Sequence, residues 1–173
     1  MENLDFFGVF DFQTGDNDTY KYTATEFVKL YKAMTADGVV KGEGEEMEIE
    51  LNGLTATVKT GSAFVQGRYG EINTAKNLTF TSTGSVHIDR IILKLDIINR
   101  LFTVEIKQGS SVAPALTQTQ AVWEIPLASV TVPASGVNAT LADERNFFYK
   151  PTQVMEKMNA ITGGTEFVYA VYA

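Results

Sequence analysis

The stretch His87–Gly109, HIDRIILKLDIINRLFTVEIKQG, decides the fold. Ile91, Leu93, Leu95 and Ile97 fall on one side of an extended chain. Arg90, Lys94 and Asp96 share the other side with Ile88, Ile92 and Ile98. Side chains of a strand alternate between faces, so this period of two, rich in β-branched residues, describes a strand buried fully on one face and partly on the other. Asn99-Arg100 breaks the run, because Asn accepts left-handed backbone at little cost. Leu101–Lys107 then returns, with Phe102, Val104 and Ile106 alternating against Thr103, Glu105 and Lys107. The result is a long central hairpin, a scaffold and not a reaction centre.

Upstream, Met47, Ile49 and Leu51 alternate with Glu46, Glu48 and Glu50, and Asn52-Gly53 is a strong hairpin signal. A two-residue turn there pairs Leu51 with Leu54, Ile49 with Ala56 and Met47 with Val58. Gly61 opens a short strand over 62–66, and Gly67 turns it into Arg68-Tyr69-Gly70-Glu71. Residues 77–82 alternate again, with Leu78 and Phe80 inward. Downstream of the central hairpin, a small-residue loop ends at Pro114. Residues 121–132 follow, around Pro126, and read as two short strands or one bulged edge strand, since a central strand would not tolerate that proline. Residues 139–145 close the unit. Strands every 8–12 residues with Gly, Pro or Asn between them describe a mainly β fold, an antiparallel sandwich or barrel.

Helices are expected at both ends. Thr23 and Glu26 form a capping box, and Phe27, Leu30, Tyr31 and Met34 make a stripe that faces a core, with Gly38 ending the helix. Before it, residues 1–22 hold Phe6, Phe7, Phe10 and Phe12 with no regular period, an arm packed on the domain's own core or on a neighbour. At the other end Pro151 suits a first helical turn, and Val154, Met155, Met158 and Ile161 form one apolar stripe. Glu166–Ala173, EFVYAVYA, reads as a strand. The organisation is therefore an arm and helix over 1–45, an antiparallel β domain over 46–149, and a docking extension over 150–173. A short helix and a lone strand bury little alone. Val154, Met155, Met158, Ile161, Phe167, Tyr169 and Tyr172 are thus the candidate subunit contact.

Composition narrows the chemistry. The 173 residues carry a net charge of -7 and no basic stripe, which argues against a nucleic-acid partner. Without cysteine there is neither a disulfide nor a thiolate metal site. The start, MENLDFF, is acidic where a secretory leader is basic, and no apolar run approaches the ~20 residues of a membrane span. A soluble product, exported by assembly or lysis, is expected. His87 is the single histidine, read as a surface or lightly satisfied residue with no second ligand for a metal. No GxSxG, P-loop or GxGxxG is present. The Glu46-Glu48-Glu50 row reads as the solvated face of a hairpin. No enzyme activity and no cofactor are expected. Asp89-Arg90 and Asp143-Glu144-Arg145, at the ends of apolar strands, are candidates to bridge each other as structural ion pairs.

Several stretches in order carry a family resemblance: YTATEFVKLYKAM, TATVKTGSAFVQGRYGE, HIDRIILKLDIINR, VEIKQG, PALTQT, WEIPLASVTV and ADERN. Over about residues 6–146 the chain resembles the N-terminal domain of phage baseplate upper proteins and tail receptor-binding proteins of Gram-positive hosts. The resemblance implies an all-β module anchoring an appendage to the tail in threefold or higher arrays. It places fold-defining roles on Asp89, Arg90, Asp143 and Arg145, and on Pro114 and Leu116. Such proteins continue into a stalk and a saccharide-binding head, whereas this sequence stops at Ala173, so an adaptor role is expected. The implied partners are copies of itself, as a trimer, other tail or baseplate proteins, and the host cell-wall saccharide only indirectly. The implied location is the virion tail, or a tail-like bacteriocin, assembled in the bacterial cytoplasm. The alternative is a carbohydrate-binding module recognising the host wall, with Tyr69, Trp123, Tyr169 and Tyr172 as platforms, although Trp123 lies in an alternating apolar strand that suits a core.

Overall fold

The computed structural model describes residues 24–135 and 138–161, with side chains as far as Met158. In chain order, α1 (Ala24–Met34) leads to β1 (Gly38–Val40), β2 (Ile49–Asn52), β3 (Thr55–Val58), β4 (Gly61–Val65), β5 (Arg68–Ile72) and β6 (Lys76–Thr79). Then come β7 (His87–Asp96), β8 (Leu101–Lys107), β9 (Val122–Val132), β10 (Thr140–Asp143), β11 (Phe147–Phe148) and α2 (Pro151–Ile161). The strands form sheets ordered β10-β9-β7-β8, β11-β1-β4-β5 and β2-β3-β6. Pairing is antiparallel throughout, except that β1 and β11 run parallel. The fold is mainly β, with antiparallel sheets around a common core, as a β-sandwich has, and a helix at each end.

The central hairpin is as expected. β7 pairs with β8 from Arg90↔Lys107 to Asp96↔Leu101. Ile91, Leu93 and Leu95 are buried on the inner face, and Ile92 is buried on the outer one. Burying each such side chain is worth roughly 2 kcal/mol. The hairpin loop is pinned by Asp96, whose carboxylate accepts from the backbone N–H (2.9 Å) and side-chain amide (2.8 Å) of Asn99, and Arg100 takes the left-handed conformation. Met47, Val58, Val65, Val39, Leu127 and Val130, from the other strands and their connections, join the same core.

Several expectations need correction. The β2–β3 hairpin pairs Leu51 with Ala56 and Ile49 with Val58, a shift of two residues from the expected register. Its loop is Gly53-Leu54, with Gly53 at φ 63° and neither Asn52 nor Leu54 at positive φ. Glycine first in a two-residue loop is the type II′ arrangement, whereas Asn52-Gly53 as loop residues would need both in the left-handed region. Because the slip is two, every side chain keeps its face. Gly38 does not end the helix, which stops at Met34; it opens β1, where a Cβ would lie 2.6 Å from the carbonyl oxygen of Asn146. The sheet therefore recruits a strand from within residues 1–45. β9 is a single bulged strand, one of the two readings expected, but only its Pro126 part lies beyond the β10 pairing; along Ala128–Thr131 it is an interior strand flanked by β7 and β10. Pro126 is accommodated because Leu127 bulges between the pairs Ile91↔Ala128 and Ile92↔Pro126, and β10 ends at Ala128.

The stripe of α1 does not face the core. No residue of the helix is buried, and Phe27, Tyr31 and Met34 are exposed. The helix rests instead on the β4–β5 turn, where Gln66 (φ 51°) and Gly67 (φ 71°) both adopt left-handed backbone. A Cβ on Gly67 would stand 2.4 Å from the carbonyl oxygen of Val28. Tyr31 reaches Phe64, which also meets Tyr69 and Phe148 edge-on. Thr23 of the expected capping box, the terminal strand 166–173 and the arm 1–22 lie outside the described residues.

Gly67→Ala is expected to destabilise the protein by about 1–2 kcal/mol from left-handed backbone alone, a loss of roughly 2–8 °C in melting temperature. Hydrogen exchange within α1 should accelerate as the helix is pushed from its seat. An unchanged melt would disprove this account of the contact.

Candidate functional site

The residues singled out by sequence form a polar seam along the β7–β9–β10 sheet. Asp89 and Arg90 are neighbours on one strand, so they point to opposite faces and do not pair with each other. Arg90 donates to both carboxylate oxygens of Glu144, from Nε (2.7 Å) and Nη2 (3.1 Å), and its Nη1 also reaches the carbonyl oxygen of Pro114. The two motifs thus do bridge, through the middle residue of Asp143-Glu144-Arg145. Both side chains are largely buried, at 17% and 26% exposure, so the forked geometry acts in a reduced dielectric. Arg145 folds back on Asp143 with two bonds, 2.9 and 2.7 Å, and donates from Nη1 to the carbonyl oxygen of Glu46 (2.9 Å). The Arg145 guanidinium holds the Asp143 carboxyl below its ordinary range, and Asp143 in turn raises Arg145.

Asp89 is buried and accepts from the N–H of Gly109 (2.9 Å). Gly109 is required there, since a Cβ would come within 2.0 Å of the carbonyl oxygen of Ile88. His87 is not a surface residue. It is 7% exposed, with Nδ1 near the carbonyl oxygen of Ser85 (3.1 Å) and Oγ1 of Thr83 (3.2 Å), and Nε2 3.6 Å from Asp89. The β7–β9 pairing carries it inward opposite Val132. These groups fix loops to strands, which is structural work.

Sequence reading missed the buried Glu124. Its carboxylate takes Nζ of Lys107 (2.6 Å) and the N–H of Thr117 (2.6 Å), tying β8 and the 109–121 loop to β9. Lys94 likewise pairs with Glu105 across β7–β8 (2.9 Å). The hydroxyl of Thr103, followed by Lys94, holds the Glu105 carboxyl below its ordinary range. Lys59 gathers Glu50 (2.5 Å), Glu48 (3.5 Å) and Glu45 (3.9 Å), one cation against three carboxylates, while Glu46 pairs with Lys41; Glu50 first, then Glu48, hold the Lys59 ammonium above its ordinary range. Among the described residues no group of three or more His, Cys, Asp or Glu is arranged to hold a metal ion. None of their helices is long and apolar enough to cross a membrane.

Two other features remain. α2 begins as expected at Pro151, with Gln153 accepting from the N–H of Lys150 (3.0 Å) in the manner of a capping box. Gln153 also donates to the carbonyl oxygen of Lys41 (3.1 Å), and Lys150 pairs with Glu43, so the helix start is fastened beside β1. Val154, Met155 and Met158 of the candidate contact stripe are 40–46% exposed. The side chain of Ile161, and Phe167, Tyr169 and Tyr172, lie outside the described residues. The second feature is a cleft of about 500 Å³ against β8, with Met47, Ile72, Leu78 and Leu93 in its floor. Of the candidate saccharide platforms, Tyr69 is half exposed, while Trp123 packs on the core with its indole N–H buried and without a hydrogen-bond partner. No protein-family model matches the chain, and no curated protein matches it.

Arg90→Met should cost about 2 kcal/mol, because it strands the part-buried Glu144 carboxylate, and Glu144→Gln should cost less. Equal losses in urea titrations would contradict a forked pair. Asp143, Glu105 and Glu46 all have carboxyls lowered by neighbouring donors, Arg145, Thr103 and Lys41 respectively. A lowered carboxyl contributes stability that is complete above its unfolded value and lost as pH falls through the folded one. The melting temperature should therefore be level from pH 7 to about 5 and fall below about pH 4. Since these groups are partly exposed, added salt should flatten that acid limb, and Arg145→Leu should flatten it further. A limb identical in Arg145→Leu would remove Asp143 from this account.

Proposed function

We propose that the chain is a structural component of a phage tail tip or baseplate, or of a tail-like bacteriocin: an oligomeric adaptor that attaches a receptor-binding appendage to the tail. The observation that carries this reading is α2. Its first turn is fastened to the β unit through Gln153–Lys41 and Lys150–Glu43, while Val154 and Met155 of its apolar stripe stay exposed. An anchored helix with an uncovered apolar face is suited to contact between subunits. The ordered run of motifs that resembles phage tail appendage domains supplies the biological setting. The seam supports a scaffold role, because Arg90, Asp89, Glu124 and Arg145 are each engaged in holding strands and loops together. Copies of the chain, assembled as a trimer with other tail proteins, are the proposed partners. Wall saccharide would be met only indirectly.

The test is molar mass in solution by light scattering, for the full-length protein beside a chain ending at Tyr149. The shortened chain keeps β11 and the seam, so it should remain folded. The expected outcome is a trimer or larger ring that falls to monomer on truncation. A truncated protein that assembles normally would refute the role of the extension. Retention of the protein on purified wall polysaccharide would favour the saccharide-binding alternative instead.

A further inference from the structure

β8 is an edge strand, and the side on which it is open can be read from two hydrogen bonds. The N–H of Ile97 donates to the carbonyl oxygen of Ala121 (2.9 Å), just before β9, and the N–H of Ile88 donates to that of Ser110 (2.7 Å), just after β8. Backbone groups of alternate residues on an antiparallel strand turn to opposite neighbours. Odd-numbered residues of β7 therefore address β9, and even-numbered ones address β8. The partners of those even-numbered residues are Leu101, Thr103, Glu105 and Lys107. The N–H and C=O groups of Phe102, Val104 and Ile106 consequently point away from β7. Among the described residues these groups have no hydrogen-bond partner.

Among the described residues β6 comes near β8 but makes no backbone bond to it, and the charges of β8 are already committed, Glu105 to Lys94 and Lys107 to Glu124. The cleft of about 500 Å³ runs past Phe102, Thr103 and Val104 in succession, so it opens the backbone of β8 as well as its side chains. An open edge beside an apolar floor is a template for strand addition.

The sequence holds a segment of matching kind. Glu166–Ala173 is apolar at both parities: Phe167, Tyr169 and Val171 on one face, Val168, Ala170 and Tyr172 on the other. That is the pattern of a strand covered on both sides. Its eight residues extend to about 26 Å, against about 23 Å for β8. We propose that Glu166–Ala173 of one copy adds as a strand to the β8 edge of a second copy. A second copy is taken as the donor because α2 starts beside β1, whereas β8 is met by β6 of another sheet and by β5, with Gly70 against the ring of Phe102, at the far edge of the sheet that holds β1. This deepens the adaptor reading and rests on its claim of self-association.

The test uses the full-length chain. Val104→Pro removes an N–H from the open side only, with a side chain of similar volume, so pairing with β7 is kept. The expected result is an oligomeric parent in which the amides of Phe102, Val104 and Ile106 exchange at least about 100-fold more slowly than exposed loop amides. Val104→Pro should be monomeric with a melting temperature within a few degrees of the parent, and Val104→Ala should keep the parental mass. If Val104→Pro does not fold, residue-resolved exchange in the parent decides alone. Fast exchange at these amides, or an oligomer that persists in a folded Val104→Pro chain, would overturn the proposal. So would a monomeric parent, even with slow exchange, since the added strand would then come from its own chain. Assembly that survives Val104→Pro yet is lost on truncation after Tyr149 would remove this inference and leave the adaptor reading standing.

Discussion

Everything in the β unit depends on β7, the strand shared by β8 and β9. Its ten residues carry Ile91, Leu93 and Leu95 into the core, and its other face lays Arg90 and Lys94 alongside Ile92. A strand buried on one side only needs water on the other. This one is partly covered there as well, and its charges take partners within the protein. Arg90 takes Glu144 and Lys94 takes Glu105, and each bond fastens a neighbouring strand or loop. Polar satisfaction and sheet assembly are therefore one requirement here.

The same economy governs the loops. Asp89 holds the turn at Gly109, Glu124 holds the chain at Thr117, and Arg145 reaches the backbone at Glu46. Each is a charged group bonded to backbone, over 20, 7 and 99 residues respectively, which leaves little freedom to connections that lack regular structure. These acceptors and donors are committed to holding the chain in place. Among the described residues, the edge of β8 and the outer stripe of α2 are surfaces that the seam leaves uncommitted.

Much of this was legible in the sequence, for definable reasons. The alternation of 87–107 gave the hairpin because burial on both faces leaves a dense signal. The positive-φ demand at Gln66-Gly67 marked its turn through Gly67. Asn52-Gly53 misled by two residues, since Gly53 can serve either type I′ or type II′ geometry and the face pattern is blind to a slip of two. β1 and β11 escaped notice because strands of three and two residues carry no measurable period. The candidate ion pairs were found as motifs, yet their true partner, Glu144, is chosen by the side of β10 on which it emerges. Glu124 lies between Trp123 and Ile125, which pack on the core, and so has the parity of an ordinary outward residue. Only the loop that covers it makes it buried, and no local pattern reports that.

The one parallel pair among the described residues has a mechanical consequence. β1 continues from α1 at its beginning, and β11 leads to α2 at its end, with Val39 donating to Asn146 and Lys41 to Phe148 across the pair. Tension drawn between the two extremities pulls these adjacent strands in opposite senses along their own lengths. The bonds between them then stretch together in shear, where an antiparallel hairpin pulled from its open end would unzip one rung at a time. A protein set between two larger bodies under load would transmit force through this junction, with the antiparallel β1–β4 pair beside it sharing the shear.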